Sequence, residues 1–127
     1  MSRRNLEPQD VVVALKFACH PGRPWKYATL AEELCISPSE LHASVRRLQD
    51  CRLWNPVLKR VDRAALRNFL VHGLVHVFPA IPAGSVRGMP TGISAAPLVG
   101  RFLAGKEEQL VWPQPTGSAR GRRVEPL

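Results

Sequence analysis

The stretch SPSELHASVRRLQDCRLWNPVLKR, residues 37–60, opens the most chemically suggestive part of the chain. From residue 46 to 67 stand Arg46, Arg47, Arg52, Lys59, Arg60, Arg63 and Arg67, opposed only by Asp50 and Asp62. Guanidinium and ammonium groups gathered in this way donate to phosphate oxygens and to guanine edges, so the chemistry they offer is recognition of a polyanion. The balance of the whole chain points the same way: eighteen Lys and Arg against ten Asp and Glu give a formal charge of +8 over 127 residues. A surface that is basic for solubility alone is the competing explanation.

The elements that have to position these groups are legible as capped helices. LEPQDVVVALKFACHPG carries Pro8 in a first-turn position and Asp10 near the positive end of the helix dipole, and ends at Pro21 and Gly22. Its apolar stripe is expected at Val12, Leu15 and Cys19, flanked by Val11 and Ala18. RPWKY follows as an extended connection, with Trp25 and Tyr27 closing over the core. Thr29 is expected to cap a short helix running to Leu34 or Cys35, with Glu32 completing a capping box. Ser37 caps a longer one, with Pro38 at its first position and Glu40 completing a second box. Two helices separated by about three residues are a helix-turn-helix arrangement. Leu30, Ala31 and Leu34 then pack against Leu41, Val45 and Leu48, with Ile36 in the turn.

At about 100° per residue, Leu41, Val45 and Leu48 share one side of the longer helix. Ser39, His42, Ala43, Arg46, Arg47 and Asp50 fall on the other. Small Ser39 and Ala43 allow close backbone approach to a major groove, and Arg46 and His42 lie nearest the bases. Thr29, Ser37, Arg47, Lys59 and Arg60 are assigned to the nucleic-acid backbone. An amphipathic helix with a merely solvated charged face is the alternative.

LAEELCISPSELHASVRRLQDCRLW resembles the DNA-binding segment of bacterial winged-helix regulators of the MarR type, and the likeness spans roughly residues 8–60. The resemblance implies operator binding as a homodimer. It also implies two strands and a basic wing after the recognition helix. VLKRVDRAALRNFLVHG departs from that pattern, reading as a further helix capped by Asp62 and closed by Gly73, with an apolar seam of Leu66, Phe69 and Leu70.

The second half is richer in proline, with seven in the 49 residues from Pro79 onward, too many for long helices. LVHVF, residues 74–78, alternates like a strand. A phrase then recurs. Val77-Phe78-Pro79 answers Val111-Trp112-Pro113, Gly84-Ser85-Val86-Arg87-Gly88 answers Gly117-Ser118-Ala119-Arg120-Gly121, and Pro97-Leu98 answers Pro126-Leu127. The pattern is expected to form two related hairpins or loops, their glycines adopting conformations other residues resist. Arg87 and Arg120 either reach a phosphate, replacing the wing, or structure their own loops by donating to backbone carbonyls. A short helix around residues 98–104 is expected between the copies.

Catalytic chemistry finds little support. His72 and His76 have the spacing of a helical metal pair but are separated by Gly73, and no zinc-type cysteine pair, nucleophile elbow or phosphate loop is present. No catalytic residue, metal or cofactor is assigned. Cys19, Cys35 and Cys51 are expected as buried, reduced thiols. The N-terminal residues lack a signal-peptide pattern, which leads to the expectation of a cytoplasmic protein that enters no membrane. The sequence thus reads as mainly α with small β: a helix-turn-helix, winged-helix-like domain with an added helix over residues 1–73, then a Pro/Gly-rich strand and loop region over 74–127 containing a twofold repeat. Double-stranded DNA binding by a homodimeric transcription regulator is the expected function. A protein-interaction module, such as an antitoxin or regulatory subunit, is the rival.

Overall fold

The computed structural model of the protein describes residues 5–101 and 109–125, which combine α-helices with small β-sheets. Two compact units divide between Phe78 and Pro79.

The first unit begins with α1, Pro8–Cys19, whose Glu7 and Asp10 form a reciprocal capping box. Its buried face is Val11, Val13, Ala14 and Phe17, not the expected Val12–Leu15–Cys19 stripe; Val12 is 55% exposed and Leu15 39%. The run of valines satisfies helical spacing from two starting points, and burial of Asp10 rotates the helix to the other one. Helix α2 covers Tyr27–Glu33 and α3 covers Pro38–Asp50. Lys26 precedes the first turn of α2, so Thr29 lies inside the helix and does not cap it. Ser37 does cap α3: its hydroxyl accepts from the Glu40 amide while the Glu40 carboxylate accepts from the Ser37 amide at 2.8 Å.

Leu30, Leu41 and Leu48 are fully buried and form the centre of the core with Phe17, Trp54 and Leu66; Trp25, Tyr27, Leu34 and Ile36 pack on its edge. After α2 the chain turns through Cys35 in the left-handed region, φ 56°, and after α3 it does the same at Arg52, φ 61°. Each turn bonds back to its helix: Ile36 donates to Ala31 O at 3.0 Å and Leu53 to Leu48 O at 2.8 Å. These are helix terminations that glycine normally occupies, built here from side-chain-bearing residues. That geometry also places Cys35 outward. Cys19, Cys35 and Cys51 are all exposed, against the expectation of buried thiols.

Strands β1, Trp54–Asn55, and β2, Arg60–Val61, pair antiparallel as a short hairpin directly after α3. The expectation that this region lacked a hairpin is corrected. Two-residue strands have no readable alternation, and the device that closes the turn is a side chain: Asn55 Oδ1 accepts from the amides of Val57 and Leu58 at 2.9 and 3.0 Å.

Asp62 caps α4, Arg63–Asn68, accepting from the Ala65 amide at 3.0 Å. Gly73 does not end the helix. A π-helical turn, Phe69–Gly73, continues into α5, Leu74–Val77, so the expected strand at 74–78 is helical and belongs to the first unit. Gly73 keeps right-handed helical backbone angles, with a Cβ there meeting Phe69 Cδ2 at 2.9 Å. The glycine therefore serves packing of the Phe69 ring, not termination.

The second unit is a three-stranded closed sheet of β3, Ser85–Pro90, β4, Leu110–Pro113, and β5, Ala119–Arg123. β3 pairs antiparallel with both others, and β4 runs parallel to β5. Val111 is fully buried inside it and Val124 nearly so. The two GSxRG phrases are neighbouring strands of one sheet and not separate hairpins or loops. The flanking aromatic-proline pairs do not correspond: Val77-Phe78-Pro79 ends a helix, whereas Val111-Trp112-Pro113 is β4. Of the final anchor, Pro126-Leu127 lies outside the described residues. Residues 98–101 form turns, and 102–104 of the helix expected there also lie outside them. The repeated glycines admit neighbouring backbone. A Cβ on Gly88 would sit 1.7 Å from Trp112 O, and one on Gly121 2.2 Å from Gln109 O. Neither has the positive φ that was expected to require them.

Candidate nucleic-acid interface

The adjacent arginines of α3 have opposite fates. Asp10, fully buried at the start of α1, accepts from Arg47 Nε at 2.8 Å and Nη2 at 2.9 Å, from the Ser44 hydroxyl, and from the Glu7 amide at 2.8 Å. With Glu7 adding a contact at 3.3 Å, only 14% of the Arg47 side chain is exposed. The Asp10 hydrogen bonds raise the pKa of Arg47 above its ordinary value. Arg47 is thus a bolt between α1 and α3. The sequence reading placed it on the outer face because helical angle alone cannot reveal a carboxylate 37 residues away.

Arg46, one position earlier, is exposed and makes no hydrogen bond or ion pair among the described residues. Ser39 and His42 are exposed along the same side, with Ala43 half-buried beside them. His42 packs on the Tyr27 ring, centroids 4.5 Å apart, and burial raises the Tyr27 pKa. α3 therefore carries a fixed inner face, Leu41, Ser44, Val45 and Leu48, and an uncommitted outer face. Ser37 is committed to its cap, and Thr29 stands exposed on α2.

Lys59 and Arg60 lie on the hairpin after α3, both exposed. Lys59 occupies the left-handed region, φ 49°, at the point where the turn re-enters β2. Sequence reasoning named these cations without the hairpin that presents them. The signal was Asn55-Pro56, a turn dipeptide between Trp54 and Val61.

Behind the hairpin is a cleft of about 560 Å³ that the sequence did not disclose. Phe17, Trp25 and Val61 form part of its wall, and Arg23, Lys59 and Arg63 contribute cations. The Arg23 guanidinium lies 4.0 Å from the Trp25 ring centre and pairs with Glu33 at 2.9 Å. Arg63 donates to the Ala18 carbonyl.

His72 and His76 share one helical stretch, so the separation expected at Gly73 is absent. Even so, the described residues contain no group of three His, Cys, Asp or Glu placed to hold a metal ion. Partial burial beside Asp50 raises the Cys51 thiol pKa, which makes it a poor nucleophile at neutral pH. Among the described residues no helix is long and apolar enough to cross a membrane. Arg87 and Arg120 belong to the second unit, on β3 and β5. Comparison with family models, with curated proteins and with solved structures finds no match for this chain.

Proposed function

We propose that the first unit binds double-stranded DNA, with the outer face of α3 in the major groove, and that the protein acts as a homodimeric transcription regulator. The observation that carries this reading is the contrast within Arg46-Arg47: one arginine is locked inward, and its neighbour is left free beside small and polar residues on an exposed helix face. A helix held by its opposite side against α1 and α2 can enter a groove without rearrangement. The hairpin after α3 supports a winged-helix-like arrangement, in which Lys59 and Arg60 meet phosphates while Arg46 and His42 address base edges. Val71 and Val75, one turn apart and 63% and 60% exposed, favour a second copy as the surface that covers them. Occupancy of a promoter would then exclude polymerase.

Fluorescence anisotropy with a random-sequence duplex, repeated across a salt series, tests the electrostatic part. Affinity should fall with a log–log slope of about 0.9 per phosphate contacted. Absent or salt-independent binding would overturn the proposal in favour of a protein-docking module. The exposed Val12 and Leu15 of α1 are the observation that favours that second reading.

A further inference from the structure

In the antiparallel register of β3 and β5, Arg87 stands directly opposite Arg120, and Ser85 opposite Arg122. Directly opposed residues share a face, so Arg87, Arg120 and Arg122 project from one side of the sheet, and all are exposed. Like charges directly opposite destabilise a strand pair, and among the described residues neither Arg87 nor Arg120 has an acidic partner. Nor does either guanidinium donate to a backbone carbonyl among the described residues, as a loop-structuring role would require. Arg122 reaches Pro82 O at 3.4 Å, a weak contact, and Arg123 is the arginine paired with Glu125.

A second feature adjoins the first. On the other side of β3, Met89 stands opposite Trp112, and these two large apolar side chains are 47% and 40% exposed. Alternation puts Met89 on the face of Arg87. The Gln114 amide bonds to Arg87 O at 3.1 Å, so Trp112, two residues earlier, is the diagonal neighbour of Arg87. The face is thus an arginine trio flanked by an exposed indole, carried on a sheet whose glycines allow close approach of neighbouring backbone.

We propose that this face binds single-stranded nucleic acid, with a phosphodiester held between Arg87 and Arg120, the next phosphate near Arg122, and a base stacked on Trp112. An anion between the opposed guanidiniums converts their repulsion into two charge-assisted contacts, and the guanidinium fork suits phosphate oxygens. Arg120 and Arg122 follow one another at about 7 Å along the strand, a spacing a flexible phosphodiester chain can track. A duplex keeps its bases stacked internally and has none to offer Trp112, whereas a single strand supplies phosphate and ring together. An acidic peptide answers the arginines but not the indole.

The proposal is independent of α3 and is tested on the full chain, using a fluorescein-labelled oligothymidylate of about sixteen nucleotides. Arg87→Gln combined with Arg120→Gln should weaken binding about tenfold or more at low salt and lower the salt slope by about 0.7, the value for the one single-strand phosphate they share. Because that change relieves repulsion, the variant should melt no lower than the parent. Trp112→Ala should weaken binding about five- to a hundredfold, with Trp112→Phe retaining most of it. Arg101→Gln, which removes an exposed arginine outside the paired strands, should leave it unchanged. Unaltered affinity in the double arginine variant, or equal binding of polyglutamate and oligothymidylate, would overturn the proposal.

Discussion

Arg47 and Asp10 meet through two hydrogen bonds, Nε to Oδ2 at 2.8 Å and Nη2 to Oδ1 at 2.9 Å, joining the last turn of α3 to the first turn of α1. The carboxylate is fully buried, so removal of its cation leaves a charge that solvent cannot reach. Arg47→Ala should cost about 3 kcal/mol or more of unfolding free energy. Arg46→Ala, at an exposed position with no partner among the described residues, should change it by no more than about 0.5 kcal/mol. Urea denaturation of the two variants side by side checks this; equal losses would contradict it.

The turn between α2 and α3 holds Cys35 at φ 56°. A side-chain-bearing residue there is strained, and glycine is not. Cys35→Gly should therefore stabilise the protein by about 0.5–1 kcal/mol, after allowing for glycine's greater freedom in the unfolded chain. An increase in the urea midpoint with an unchanged slope is the expected result; a lower midpoint would contradict it.

Glu33 accepts hydrogen bonds from Lys16 and Arg23, which hold its carboxyl below the usual carboxylate range. A depressed folded-state value means that this link stabilises above the ordinary carboxylate pKa and is lost as pH falls through the lower, folded value. Thermal melts between neutral pH and about pH 3 should fall more steeply for the parent than for Glu33→Gln. The difference should be small and should shrink in high salt, since the group is at the surface.

Gly88→Ala and Gly121→Ala place a methyl group 1.7 and 2.2 Å from backbone oxygens that cannot swing aside. Each should unfold the second unit while leaving the first folded. Helical circular dichroism should persist and amide signals of β3, β4 and β5 should collapse. Retention of those signals would contradict the close backbone approach.

How much of this was legible in sequence depended on the range of the interaction responsible. The Ser37–Glu40 cap, the Asp62 cap and the Leu41–Val45–Leu48 seam are local, decided within a turn or two, and were read correctly. The face of α1 was not, because alternate stripes of a valine-rich helix differ only in what lies across from them. Arg47 was misplaced for the same reason: its partner is on another helix. The hairpin at Trp54–Val61 was missed because two-residue strands carry no period and its turn is closed by one Asn55 side chain. The strand expected at 74–78 failed because LVHVF alternates acceptably while also continuing a helix already begun at Arg63. For the repeated phrase, likeness in sequence marked strands that share one sheet, and the glycines marked backbone proximity instead of unusual torsion.

If Arg46 reads bases while Arg47 bolts α1 to α3, loss of Arg46 should be felt on a preferred sequence and hardly elsewhere. Take the duplex selected by the protein from a random pool and measure anisotropy for it and for unselected duplex, with parent and Arg46→Ala. Arg46→Ala should lose about tenfold or more on the selected duplex and far less on the unselected one. Equal losses on both duplexes, or none on either, would contradict it.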